Sequence, residues 1–294
     1  RNKLCRDTYC INEQMEQPAY SARVRWRVEG GGTMRAPVMK QKLISLCLLP
    51  LLVFGQRALD FDEDWAAASS KKAEPVTLTF EYVSTYPATI KIGGTGYYGQ
   101  PADPSKALVD AGDGVFVPWT SNTITVKGKR IRFRGDWRNS AGNFRDLFRN
   151  TFAGGYDVTM SGGFDFEGTP AARMFNTTFN GCSNLTGSIP VGLFGNLSGT
   201  PANYMFYGTF YGCSKLTGSI PVGLFGNISG TPATYMFSST FYGCSNLTGE
   251  SALMPDGTTH LYEQFPTASG TQCDDCYLGA TKLSDYATMP AAWK

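Results

Sequence analysis

Few residues in this chain have the types and spacing that do chemistry. There is one histidine, His260, so a Ser-His-Asp triad would have to pass through it. No Gly-x-Ser-x-Gly elbow is present, and His260 follows the run Gly257-Thr258-Thr259 near the end of the chain. A surface or capping histidine is expected. Zinc hydrolases need more histidines than this. Cys273-Asp274-Asp275-Cys276 sets two thiols at the spacing of a redox pair, half a zinc site or a small structural disulfide. Redox catalysis wants such a pair at a helix start in a βαβ setting, and Asp274 and Asp275 disfavour a thiolate. A disulfide between Cys273 and Cys276 is the expectation for an exported chain.

Glycoside hydrolysis needs two carboxyl groups, one to protonate and one to attack or to activate water. Residues 168–249 contain no Asp or Glu. A carboxylate-dependent glycan hydrolase would therefore rely on Asp136, Asp146, Asp165 or Glu167. Asp110-Ala111-Gly112-Asp113-Gly114 lacks the further carboxylates of a calcium loop and reads as a turn. Gly93-Gly94-Thr95-Gly96 has no Lys-Ser/Thr sequel, so it is not a phosphate loop. No cofactor and no metal are expected. Arg130, Arg132 and Arg134 alternate with Ile131 and Phe133, so the three share one strand face. That face is either a polyanion patch or a solvated edge that discourages aggregation.

Charge argues against a generally basic, nucleic-acid-binding protein. The net charge is +2, but residues beyond 55 carry 17 basic and 20 acidic groups. Low charge (17%) and 34 glycines suit a β-rich or repeat protein working outside the cell. Met39-Lys40-Gln41-Lys42 followed by the apolar run Leu43–Phe54 has the layout of a secretory signal peptide over 39–55. The run is too short to span a bilayer. Residues 1–38 show no apolar periodicity and read as a disordered upstream extension. Residues 56–73, acidic and then Ala/Ser-rich, read as a linker. No transmembrane segment is expected after signal removal.

Repeats organise the rest. Cys182–Gly199 (CSNLTGSIPVGLFGNLSG) returns 31 residues later as Cys213–Gly230 (CSKLTGSIPVGLFGNISG). The same offset relates Met174, Met205 and Met236, then Phe179, Phe210 and Phe241, then Leu185, Leu216 and Leu247, and the cysteines 182, 213 and 244. Fixed-period self-similarity indicates stacked units. Copies fall at 168–198, 199–229 and 230–260, after a degenerate coil at 143–167 and before a cap at 261–294. Ala202, Met205, Phe206, Thr209, Phe210 and Cys213 follow helical spacing, so each copy is expected to hold an amphipathic helix and then a short strand. Met, Phe, Leu and Cys of the list above would be core. Cys182, Cys213 and Cys244 read as a buried thiol column, with an adjacent-copy disulfide a strained alternative. Alternating short segments before the repeats predict a small antiparallel β domain at 74–140.

The unit Met-Phe-x-x-Thr-Phe-x-Gly-Cys-Ser-x-Leu-Thr-Gly-Ser-Ile-Pro resembles that of BspA-like bacterial leucine-rich-repeat surface proteins. The resemblance covers about 143–294 well and 76–142 loosely. It implies a leucine-rich-repeat solenoid and cell-surface interaction, often adhesive, and brings no catalytic residues. The expected fold is thus an α/β leucine-rich-repeat-like solenoid over 141–294, preceded by the β domain. The expected function is non-catalytic adhesion to a protein or glycan at a cell surface or in host matrix. A structural surface-layer component is the alternative, and a glycan hydrolase stands behind both. Candidate ligand-binding residues are Thr186, Ser188, Thr217, Ser219 and Thr248 on the strands, with Tyr207 and Tyr211 on the helices.

Overall fold

The computed structural model describes residues 3–6, 9–12, 75–93 and 99–294. The expected signal peptide and linker lie outside them, as does most of 1–38. Within that N-terminal stretch β1 (Lys3–Arg6) and β2 (Tyr9–Asn12) pair antiparallel, where no element is expected from the sequence.

Further along, period-two alternation makes sheet. In β3 (Thr77–Tyr82) Leu78, Phe80 and Tyr82 are buried while the residues between them are partly exposed. Next come β4 (Thr89–Lys91), β5 (Ala107–Asp110), β6 (Val117–Pro118), β7 (Thr123–Thr125) and β8 (Arg130–Gly135). The repeat region adds β9 (Val158–Ser161), β10 (Glu167–Gly168), β11 (Leu185–Thr186), β12 (Asn196–Gly199) and β13 (Asn227–Ile228). One sheet has the order β11-β9-β3-β8-β5-β6. Its pairs are antiparallel except β11 with β9, which are parallel. A small parallel sheet stacks β10, β12 and β13, and β4 pairs with β7.

The main sheet crosses the boundary expected at 140/141. Segment 74–140 supplies β3, but β9 and β11 complete that sheet from the repeat side, and 73–294 is one compact unit. Phe80 of β3 packs on Phe148, Phe152 and Phe179, with ring centroids 4.9, 4.4 and 6.4 Å away. Gly162 lets β9 come this close to β3. Its φ is +75°, and a Cβ there would sit 1.9 Å from the Thr77 carbonyl oxygen.

The α/β solenoid of helix–strand coils is overturned. Among the described residues the only α-helix is α1 (Leu261–Gln264), four residues long, and the architecture is sheet and turn. The Met-Phe segments instead form tiers of linked turns. In 171–182 the N–H groups of residues 174, 176, 178, 180 and 182 each donate to the carbonyl three residues back, at 3.1–3.3 Å. The N–H groups between them, at 173, 175, 177, 179 and 181, donate to carbonyls of the next copy, at 2.7–2.9 Å. Arg173, Thr177 and Gly181 take left-handed φ of 59°, 51° and 73°, so the chain turns every fourth residue. An apolar spacing of i, i+3, i+4, i+7, i+8 fits a period of four as well as one of 3.6. That ambiguity is why the stripe reads as a helix.

Five tiers build on this plan: 143–152, 171–182, 202–213, 233–244 and 272–283. Their rings form columns. Phe144, Phe175, Phe206 and Phe237 stack at 5.1, 5.5 and 5.6 Å. Phe148, Phe179, Phe210, Phe241 and Tyr277 stack at 5.7, 5.4, 5.5 and 5.4 Å. Met174, Met205, Met236, Leu185, Leu216 and Leu247 are all buried beside them. Buried polar groups finish the core. Thr178, Thr209 and Thr240 donate their hydroxyls to Phe144, Phe175 and Phe206 carbonyls, and Cys182, Cys213 and Cys244 donate their thiols to those of Phe148, Phe179 and Phe210. The last tier is hidden in sequence, because its copy offset is 35–36 and Cys273 and Tyr277 stand where phenylalanines are expected. Trp293 covers it, accepting the Tyr277 N–H at its carbonyl.

Candidate functional site

The single histidine does meet a serine and an aspartate. Ser251 Oγ lies 2.6 Å from Asp285 Oδ2 and 2.9 Å from His260 Nδ1. The connectivity is not that of a nucleophilic triad, in which histidine stands between serine and aspartate. Here the serine stands between the other two. It gives its hydroxyl proton to Asp285 and also donates its backbone N–H to Asp285 Oδ1 at 2.9 Å. Ser251 is buried, His260 caps α1 by donating its N–H to Glu263, and its ring stacks on Tyr262. The cluster ties the C-terminal segment to the end of the last copy.

Most of the other chemical candidates are likewise engaged in structure. Asp136 is held bidentately by Arg138, which lowers the Asp136 pKa. Asp146 is buried and accepts from Thr177 and Arg149. Asp165 and Glu167 lie on either side of Phe166 at the start of β10, with no hydrogen bond drawing the two carboxylates to a common point. Asp110 accepts from the Gly112 and Gly114 N–H groups and from Arg132, which closes its loop as a turn. Cys273 and Cys276 are separate buried thiols rather than the expected disulfide, and Cys273 Sγ donates to the Ala292 carbonyl. Burial pushes both thiols up, Cys273 to about 12.

The expected basic patch is largely neutralised. Arg130 grips Glu81 and Arg132 grips Asp110, while Arg134 lies over the Phe116 ring at 3.8 Å. On the strand side, Ser188, Thr217, Ser219 and Thr248 are exposed and Thr186 is half-buried. Backbone bonds from Thr217 to Gly187 and from Thr248 to Gly218 stack these positions copy upon copy. The result is a polar ridge of short hydroxyls.

A different face collects aromatic area. Tyr211 is exposed and its ring lies flat on Tyr242, 4.5 Å away at 7°. Tyr204 and Tyr235 stack at 4.8 Å and 20°, and Tyr207 meets both edge-on at 5.8 and 5.9 Å. The exposed Arg173 guanidinium lies over Tyr204 at 4.5 Å. Tyr204 and Tyr235 adopt left-handed φ of 58° and 55°. A glycine there would relieve about 1 kcal/mol of backbone strain, so these two rings stand where the backbone alone would not choose them. The turn ladder therefore presents five half-buried or exposed tyrosines, each braced by another ring.

Comparison with protein-family models, with curated proteins and with solved structures gives no match.

Site assignment therefore rests on the side chains alone. Tyr207 and Tyr211 are expected as exposed aromatics; Tyr211 is exposed, whereas Tyr207 is half-buried. Tyr204, Tyr235, Tyr242 and Arg173 are not singled out in the sequence, although 204, 207 and 211 share one face at helical spacing too. The signal that finds them is the period of four, with Gly181, Gly212 and Gly243 marking one left-handed column and residues 173, 204 and 235 another.

Proposed function

We propose a non-catalytic binding protein, exported and working at or near a cell surface, that engages its partner through the tyrosine face. The observation that carries this reading is the stacked set on the turn ladder, exposed Tyr211 with half-buried Tyr204, Tyr207, Tyr235 and Tyr242. Tyrosine offers large amphipathic area with only two side-chain torsions to freeze, and neighbouring Ser, Gly and Asn supply hydrogen bonds. Asn203, Thr234 and Ser239 flank the rings in this way. Ring stacking orders the face before any partner arrives, which lowers the entropy cost of binding. The resemblance of the repeat phrase to BspA-like surface proteins points the same way, as does the signal-like segment at 39–55.

The test is an array of matrix proteins and glycans probed with the full chain and with a Tyr204→Gly/Tyr235→Gly variant. Saturable capture that the double variant loses supports the reading. Absence of capture, or capture indifferent to the variant, contradicts it. Concentration-dependent self-assembly without capture would favour a structural layer component.

A further inference from the structure

We propose that the tyrosine face takes an acidic segment of a protein partner, with a partner carboxylate paired to Arg173. This deepens the binding reading above and rests on it. Among the described residues Arg173 is the cation stacked on this tyrosine face, exposed and over Tyr204. Among the described residues no ion pair uses it, whereas Arg130, Arg132 and Arg138 each hold a carboxylate. Residues 168–249 offer no acid of their own to compete. Stacking occupies the flat face of a guanidinium and leaves the N–H donors along its edge free for a bidentate carboxylate. The arginine is thereby held in place as well as unpaired.

The ring geometry selects protein over sugar. A pyranose stacks on an open aromatic face. Tyr204 has Arg173 from the preceding tier against it on one side and Tyr235 from the following tier on the other. Tyr211 lies against Tyr242, and Tyr207 meets its neighbours edge-on. Tyr204 is thus covered on both faces, and the part-covered rings with their hydroxyls match the mixed apolar and hydrogen-bonding surface of a peptide.

A displayed library of random peptides, selected on the full chain, tests this beside a glycan array. Peptides rich in Asp or Glu should be enriched. A selected peptide should bind about tenfold more weakly to Arg173→Gln, and about tenfold more weakly when its carboxylate is made an amide. Enrichment of neutral or basic peptides, or indifference to Arg173→Gln, overturns the acidic pairing. If such peptides still depend on Tyr204 and Tyr235, the binding face itself survives. Capture of neutral glycans alone rejects the protein partner, and no capture of either kind rejects both readings.

Discussion

Phe210 and Tyr211 are adjacent in the chain and sit in opposite situations. The Phe210 ring is fully buried between those of Phe179 and Phe241, in a column that repeats one residue type through four tiers before ending on Tyr277. Tyr211 is 40% exposed, and its column reads Arg149, Asn180, Tyr211, Tyr242, Leu278. Neighbouring columns vary more: Arg173, Tyr204, Tyr235 in one and Asn176, Tyr207, Ser238 in the next, where Asn176 and Ser238 are buried. The inner residue is set by fit, because close packing tolerates neither a smaller nor a larger ring. An outer residue that stays exposed, as Arg173 and Tyr211 do, is under less of that constraint. On the function proposed above, structure is written in the inner columns and binding in the outer ones.

The comparison breaks most severely from inside. Phe210→Ala should cost about 3–5 kcal/mol in urea unfolding, since it removes a ring from the middle of its column. A loss below about 1 kcal/mol would mean that the column is not the core. Next is Gly162→Ala, which forces a Cβ into the Thr77 carbonyl at positive φ. It should cost about 2–3 kcal/mol and separate the repeat tiers from the sheet that β3 carries.

Alkali probes the thiol column. Burial raises Cys182 and Cys244 to about 12 and Cys213 well above the ordinary 9.0. Folded thiols thus stay protonated while unfolded ones ionise. Their contribution is intact below pH 9 and is lost as pH rises from there toward 12. Each thiol should remove up to about 1.4 kcal/mol per pH unit over that range, seen as a falling urea midpoint. A midpoint that holds between about pH 8 and about pH 10 would place the thiols in water. A smaller effect is expected of Thr209→Val, which keeps the shape but drops the hydroxyl donated to the Phe175 carbonyl, at about 1 kcal/mol.

Much of the inner plan is legible in the sequence. The 31-residue offset places Met205, Phe210, Cys213 and Leu216 in equivalent positions, and mutual burial follows from stacking. The backbone carrying them is not legible. A helix and a chain of four-residue turns share the same apolar spacing, and nothing in the letters of Tyr204 or Tyr235 announces a left-handed φ. The last tier escapes because Cys273 and Cys276 suggest a disulfide rather than core positions. Arg130 and Arg132 form an alternating basic strand in one dimension; their partners Glu81 and Asp110 are 49 and 22 residues away. A cut at 140/141, which the sequence suggests as a domain boundary, would part β3 from β9.

Tyr204→Gly/Tyr235→Gly tests the division between inner and outer columns most directly, with unfolding and partner capture measured on the same preparation. Glycine suits both backbone positions, so the unfolding free energy should stay within about 1 kcal/mol of the parent while capture falls about tenfold or more. Retained capture, or unfolding on the scale of Phe210→Ala, would contradict the account.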